Sequence, residues 1–468
     1  MVYLKRPARK SRETQFNIRI LEHIVNPSIP TAPPASNAHP TALTARFVQV
    51  RATTESLAAP LSSEDAVLQS MPDASPTKWH LAHTSWFFET FILERFDAAF
   101  KPFDPAFRVL FNSYYNAVGD KHARAERGLI SRPTLAEVMA YRRHVTTRIE
   151  QLLPSLEVRV PGFSALMWLG CNHEEQHQEL ILTDLKHLLS KNPLKPAYQE
   201  RWPLTPIQGR MPRWVGYRGG LVSIGSDDHL PGESAVFSFD NEGPRHQVAL
   251  EPFEMASYPV THGDFAAFIA DRGYARPELW LSMGWDWAQT HRAAAPLYWE
   301  MRDGGWHTFT LHGIAPIDPH TPICHINYFE ADAFARWASA RSQWTGARLP
   351  RETEWEHAAG AAAIEGNFLE SRALHPLALR DEKFSSHPAQ LFGDVWEWTQ
   401  SAYLPYPRFR AADGAVGEYN GKFMCNQFVL RGGSCATPQQ HIRPTYRNFF
   451  PPEARWQSSG LRLARGAR

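Results

Sequence analysis

The chain is poor in cysteine. Its 468 residues include four, Cys171, Cys324, Cys425 and Cys435, and none stands in a Cys-x-x-Cys pair. A zinc ribbon and a disulfide framework are both disfavoured, although Cys425 and Cys435 could meet in space. Excess charge is missing too: 49 Lys and Arg face 48 Asp and Glu, a formal +1. That balance argues against a general polyanion-binding surface, so no nucleic-acid partner is expected. No segment approaches the length of a membrane span, and the basic start, Met1 to Arg12, is not followed by a signal-type apolar core. These absences predict a reduced, soluble, cytoplasmic protein with no membrane partner. There is no repeat of 20–50 residues and no Gly-rich phosphate loop.

What is present is more specific. The length suits two domains. Thirty-seven Pro disfavour an all-helical chain, and 21 His exceed what packing requires. Chain organisation follows Cys171-Asn-His-Glu-Glu-Gln-His-Gln-Glu179, inside an amphipathic stretch expected to be helical over about 164–190. His173 and His177 are i and i+4, roughly 40° apart and one turn above one another, the spacing at which two imidazoles grip one metal ion. The alternative is a core pair satisfied by hydrogen bonds. Gln176 flanks the same face. Glu179 lies roughly 160° around from His177, a poor ligand that could instead serve a neighbouring element.

Residues 1–38, ending in Pro-rich sequence, read as a flexible leader, with a short helix possible within Thr14–Val25. The first helix is expected over Thr41–Ala59, with Phe47, Val50, Leu57 and Ala58 buried. A second should start with Ser75 as N-cap and Pro76 at the first helical position. It carries His83 one turn from Trp79 and Trp86. A buried histidine in such a stripe needs a partner, either a metal or a backbone carbonyl, and His80 competes for the role. Tyr114 and Tyr115, followed by Arg124 and Arg127, could supply a phenol proton donor and a carboxylate clamp; an ordinary amphipathic loop would read alike. Ser131-Arg-Pro-Thr134 caps a third helix through about Leu153. Four such helices suggest an antiparallel bundle with a core metal site over 39–191. A Pro-rich linker, 192–214, leads to short strands and turns over 215–468, including a hairpin at Gly216–Gly225, another strand at 243–255, and short helices near 260, 322 and 348.

The second half resembles the formylglycine-generating-enzyme/sulfatase-modifying domain, a variant of the C-type lectin-like fold. The resemblance is carried by Arg348-Leu-Pro-x-Glu352-x-Glu354-Trp-Glu-x-Ala, Gly393-Asp-Val-Trp396-Glu-Trp398, Leu430-Arg-Gly-Gly-Ser434 and Gly460-Leu-Arg462. The Gly, Trp and Arg of these motifs look structural. Residues 41–190 resemble the DinB-like bundle, in which a lone His on one helix joins a His-x3-His pair on another. The order of the two, with His-x3-His-x-Glu, resembles the hercynine sulfoxide synthases of ergothioneine biosynthesis. The fold class implied is α+β.

That resemblance implies an Fe(II) site of His83, His173 and His177 with room for thiolate and O2. Neutral imidazoles leave iron its full charge, which suits an anionic thiolate. The reaction implied joins cysteine sulfur to C2 of the imidazole of N-α-trimethylhistidine and oxidises the sulfur to a sulfoxide. Gln176 and Asn448 match residues that bind trimethylhistidine, and Phe449 an aromatic beside it. Arg124 and Arg127 match the clamp on the thiol substrate's carboxylate. Tyr114 and Tyr115 resemble a tyrosine pair that supplies a proton or hydrogen near the iron. Members using γ-glutamylcysteine carry Asp two positions after the Asn matching Asn448; here that position is Phe450, so cysteine is the expected donor. Alternatives are γ-glutamylcysteine or another thiol or selenol on the same scaffold, a formylglycine-generating oxidase with a copper-binding Cys pair, and a noncatalytic lectin-like module with structural zinc.

Overall fold

A computed structural model describes residues 41–160, 162–200, 213–227, 237–379 and 387–467. The expected leader with its Thr14–Val25 helix, and 201–212 of the expected linker, lie outside the described residues.

Four long helices form the first half. Helix α1 (Ala42–Ala58) is capped by the Thr41 hydroxyl, which accepts from the Thr44 amide. Its buried stripe is Leu43, Phe47, Val50 and Leu57, with Ala58 at the margin. Helix α2 (Thr77–Phe88) starts one residue later than expected: Pro76 is the capping residue and Ser75 lies outside. Ser75 has other partners. Its amide donates to Asp184 Oδ2 at 2.8 Å and its hydroxyl accepts from Arg127. Every side chain of α2 is buried, and a wide helical turn at Glu89–Leu93 extends it. Helix α3 (Leu135–Arg159) begins with Thr134 and Glu137 capping one another. It runs past Leu153 and carries Pro154, because Leu153 and Leu156 keep its last turns packed on the core. Helix α4 (Phe163–Lys191) is the histidine helix.

Gly170 sets how closely α4 meets α2. A Cβ there would lie 2.5 Å from the Phe88 ring, so only glycine permits this approach. The histidines of the two helices are brought within reach of each other by that contact.

The second half is built from short sheets. The expected hairpin over 216–225 does not form. Trp214–Tyr217 pairs with Phe253–Ala256, whereas Gly220–Ile224 pairs with His246–Leu250. The turn between them sends its two arms to different partners, and the expected strand at 243–255 is likewise two strands. Strands Trp299–Arg302, Gly305–Thr310 and Gly313–Pro316 make a meander. A four-stranded sheet runs in the order Asn448–Phe450, Phe428–Arg431, Trp396–Ala402, Ser459–Gly460. Helices at His262–Ala270, Tyr328–Ser339 and Glu352–Ala359 match expectation; Ser282–Thr290 is a further one.

The second-half motifs are braces. Arg462 and the Trp355 indole both bond Glu397, and Arg431 and Arg447 both bond Glu352, all in the interior. Each buried charge has a partner, as low dielectric demands. Helix α4 joins the halves. Glu179 accepts from Trp396 Nε1 at 2.8 Å and from the Ser434 and Thr437 hydroxyls at 2.6 Å each. The residue too far around the helix to serve His177's site thus ties that helix to the loops of the second half.

Candidate metal centre and cavity

His83 projects from α2, and His173 and His177 from α4. One ligand atom from each lies within 4.8 Å of the other two, and all three side chains are buried. Ring centroids are 5.0 Å apart for His83–His173, 4.8 Å for His83–His177 and 4.6 Å for His173–His177. His83 is sandwiched between Trp79 and Trp86, at 4.5 and 5.4 Å.

The hydrogen bonds decide which nitrogens are free. His83 Nδ1 donates to the Phe111 carbonyl at 2.6 Å, so its Nε2 keeps a lone pair and has no hydrogen-bond partner. Both alternatives for His83 are therefore met by one ring: a carbonyl takes one nitrogen and the cluster faces the other. Neither nitrogen of His173 has a hydrogen-bond partner. Buried polar atoms are rarely left so, and a divalent cation would satisfy them. Burial holds all three rings neutral: it pushes His173 down to about 3, and His83 and His177 well below the usual histidine range. Neutral imidazoles with open lone pairs are what metal coordination requires, so the residues fit a metal ion. His80 is not part of the cluster; its nitrogens face His177 and Asp184.

Above the cluster lies a cavity of about 420 Å³. Tyr114, Arg124, Arg127, His173, Gln176, His177, Asn448 and Phe449 all line it. His83 lies outside this lining. Tyr115 is set behind Tyr114, rings 4.7 Å apart, among Trp86 and Phe91. Arg127 is buried, its guanidinium 3.4 Å from the centre of the Trp79 ring, and it donates to Ser75 and Ser113 hydroxyls. Burial, with the charge of Arg124, pulls it down to about 9, still a cation at neutral pH. Arg124 sits at the exposed rim and donates to the Asp73 carbonyl. Gln176 accepts from the Tyr419 hydroxyl and donates to the Tyr446 hydroxyl. Phe449 stacks on Tyr403 at 4.1 Å, and Phe450 packs on Trp456 and is not among the lining residues.

The second half adds Phe239, Asn241, Tyr419, Asn420, Phe423 and Tyr446 to the lining. Sequence reasoning missed these as site residues. Tyr419 matters most: its ring lies 5.9 Å from that of His173, and burial holds its hydroxyl protonated. Irregular segments carry these residues, with no periodicity to mark them. Asp184, also on the lining, did leave a signal: it is seven residues beyond His177, only about 20° around α4.

Comparison with known proteins agrees with this division. The DinB superfamily model matches residues 46–181, and the sulfatase-modifying factor enzyme 1-like domain matches 203–387 and 388–467. Hercynine oxygenase of Mycobacterium tuberculosis is 31% identical over 429 residues, covering 86% of this chain and 94% of that protein. The chain belongs to the hercynine oxygenase family. The Mycolicibacterium smegmatis hercynine oxygenase is 32% identical, over 86% of this chain and 94% of its own length. Ergothioneine biosynthesis protein 1 of Schizosaccharomyces pombe is 25% identical over 56% of this chain and 32% of its own. The α+β architecture, a DinB-like helical bundle followed by a formylglycine-generating-enzyme-type domain, is that of this hercynine oxygenase family member. No described helix is long and apolar enough to cross a membrane. Cys425 is exposed and Cys435 is buried, and neither is in a disulfide.

Proposed function

We propose that the chain is a non-haem Fe(II)- and O2-dependent sulfoxide synthase of ergothioneine biosynthesis, acting in the cytoplasm. Its substrates would be N-α-trimethylhistidine, cysteine and O2. The observation that carries the reading is the three-imidazole cluster with unsatisfied nitrogens at a cavity holding an unneutralised arginine. In the overall reaction the thiol S–H and the imidazole C2–H are lost and one C–S and one S=O bond form. Dioxygen accepts four electrons, giving one oxygen to sulfur and one to water. His83, His173 and His177 would hold the iron, which would activate the dioxygen that serves as oxidant.

The protein's part is placement. Arg127 presents a buried cation bonded to neutral hydroxyls, so a substrate carboxylate gains a strong charge-assisted contact there, with Arg124 guiding entry at the rim. Gln176 and Asn448 orient the trimethylhistidine. Gln176 is held for this between two tyrosines. The face of Phe449, fixed by its stack on Tyr403, suits the quaternary ammonium. A phenol hands over the proton. Tyr114, backed by Tyr115, lines the cavity, and Tyr419 packs against a ligand ring; burial keeps Tyr114 and Tyr419 protonated until they are used. Phe450, apolar where a γ-glutamyl ammonium would need a carboxylate, favours cysteine as donor.

The test is reconstitution with Fe(II) without oxygen, followed by oxygen uptake with trimethylhistidine and either cysteine or γ-glutamylcysteine, with product masses recorded. A cysteine-adduct sulfoxide formed from cysteine is the expected result. Turnover with γ-glutamylcysteine alone would overturn the donor. No uptake by iron-loaded protein with either donor would overturn the activity.

A further inference from the structure

We infer that His80, held by Asp184, is a positioning residue that fixes the tautomer of His177 and aims its Nε2 at the metal centre. This rests on reading His83, His173 and His177 as metal ligands.

The three rings are supported in three different ways. His83 leans on a backbone carbonyl, and His173 has no hydrogen-bond partner. His177 alone is tied to a relay of side chains. His177 Nδ1 and His80 Nδ1 are 2.7 Å apart, and His80 Nε2 is 3.1 Å from Asp184 Oδ2. The direction of each bond follows from the far end. A carboxylate can only accept, so His80 Nε2 carries a hydrogen. The Nδ1 of a neutral His80 is then an acceptor. His177 must therefore carry its hydrogen on Nδ1, which leaves the Nε2 lone pair for metal. Asp184 is anchored in turn by the Ser75 amide at 2.8 Å.

The same bonds explain why His80 is no ligand although it lies three residues before His83: both its nitrogens are spent. Groups that hold the outer nitrogen of a metal-bound histidine fix its orientation and raise its basicity, and their loss typically weakens metal binding about 10–100-fold. His80 comes from α2 and Asp184 and His177 from α4, so the relay also couples the packing of the two helices to the aim of one ligand.

The direction of the relay supplies a test that packing alone would not pass. In Asp184→Ala nothing accepts from His80 Nε2, so His80 is no longer held with its hydrogen there. It can then carry its hydrogen on Nδ1, which drives His177 to the tautomer whose Nε2 is blocked. Asparagine at 184 would not serve, because the Ser75 amide would keep its oxygen where Oδ2 now accepts from His80. In His80→Asn an amide oxygen can still accept from His177 Nδ1, and nothing passes on to residue 184. Co(II) affinity of the full chain is read by visible absorption, with denaturant unfolding of the metal-free protein alongside. Asp184→Ala should weaken Co(II) about 10–100-fold. In the His80→Asn background the same change should alter affinity by less than about threefold. Co(II) binding to Asp184→Ala within twofold of the parent would overturn the relay, and so would an equal loss in both backgrounds. A parent chain that binds no Co(II) would overturn the three-histidine centre itself, and the relay with it.

Discussion

His173 and Glu174 are adjacent in the chain, on one helix and equally deep, yet the protein treats them in opposite ways. Glu174 is wrapped: Arg51 and Arg142 bond its two oxygens at 2.8 and 2.9 Å. Burial opposes its charge, but the two guanidinium groups more than compensate and hold it at about 2. His173 is left bare, with both nitrogens unpartnered, and burial holds it neutral. A buried polar group that is fully satisfied belongs to the scaffold. Other buried polar atoms are also unpartnered, but the open nitrogens of His173 face two more imidazoles, and that convergence is what suits a metal ion. The same contrast holds in the second half, where Glu352 and Glu397 are each met by arginine while the cavity keeps Arg127 without a direct carboxylate.

The contrast can be broken by changing each neighbour in turn. His173→Ala should lower sulfoxide formation by at least about 1,000-fold, roughly 4 kcal/mol of barrier, while leaving the unfolding midpoint of the metal-free protein unchanged or raised. A large loss of metal-free stability would instead make His173 a packing residue. Glu174→Gln should do the reverse. Breaking one side of a buried ion network costs about 3–5 kcal/mol, read as a lower denaturant midpoint, with Co(II) affinity per folded molecule little changed.

Acid separates the two groups again. His173 sits at about 3 in the folded chain against 6.5 when exposed, so the unfolded chain binds its proton first. The stability it permits is complete above about pH 6.5 and falls below that by up to about 1.4 kcal/mol per pH unit. Glu174, at about 2 against 4.5, keeps its contribution down to about pH 4.5 and loses it only below. Metal-free protein should therefore lose stability between pH 6.5 and 4.5 through its buried imidazoles, and His173→Ala should flatten that slope in urea titrations. An unchanged slope would assign the loss to other groups. The smallest effect is expected at the cavity wall. Arg127→Lys keeps the charge but loses the fork, and should raise KM for the thiol donor about tenfold with kcat moving less. A drop in kcat at constant KM would remove Arg127 from the binding role.

Much of this was legible in the sequence. The His173–His177 spacing is a property of any α-helix, and Ser131-Arg-Pro-Thr134 announced the start of α3. The braces of the second half follow motifs whose Trp and Arg have no surface role. The failures are also instructive. The Gly216–Gly225 stretch has hairpin chemistry, but its arms pair with strands 22–42 residues away. Ser75 has the right chemistry to cap α2 but bonds Asp184 and Arg127 instead.

The sequence by itself determined that this is an α+β hercynine oxygenase family member with an i, i+4 histidine pair on a buried helix, because helical periodicity and short motifs are local. Only the tertiary structure decided between His80 and His83. Three residues apart, they lie about 60° from one another on the same side of α2, and the sequence treats them nearly alike. The approach of α4 over Gly170 separates them, turning His83 to the cluster and His80 to Asp184. Tyr419 and Tyr446 join the cavity in the same way, across more than 240 residues, because a hydrogen bond such as Gln176–Tyr446 depends on distance in space and leaves no mark on either local pattern.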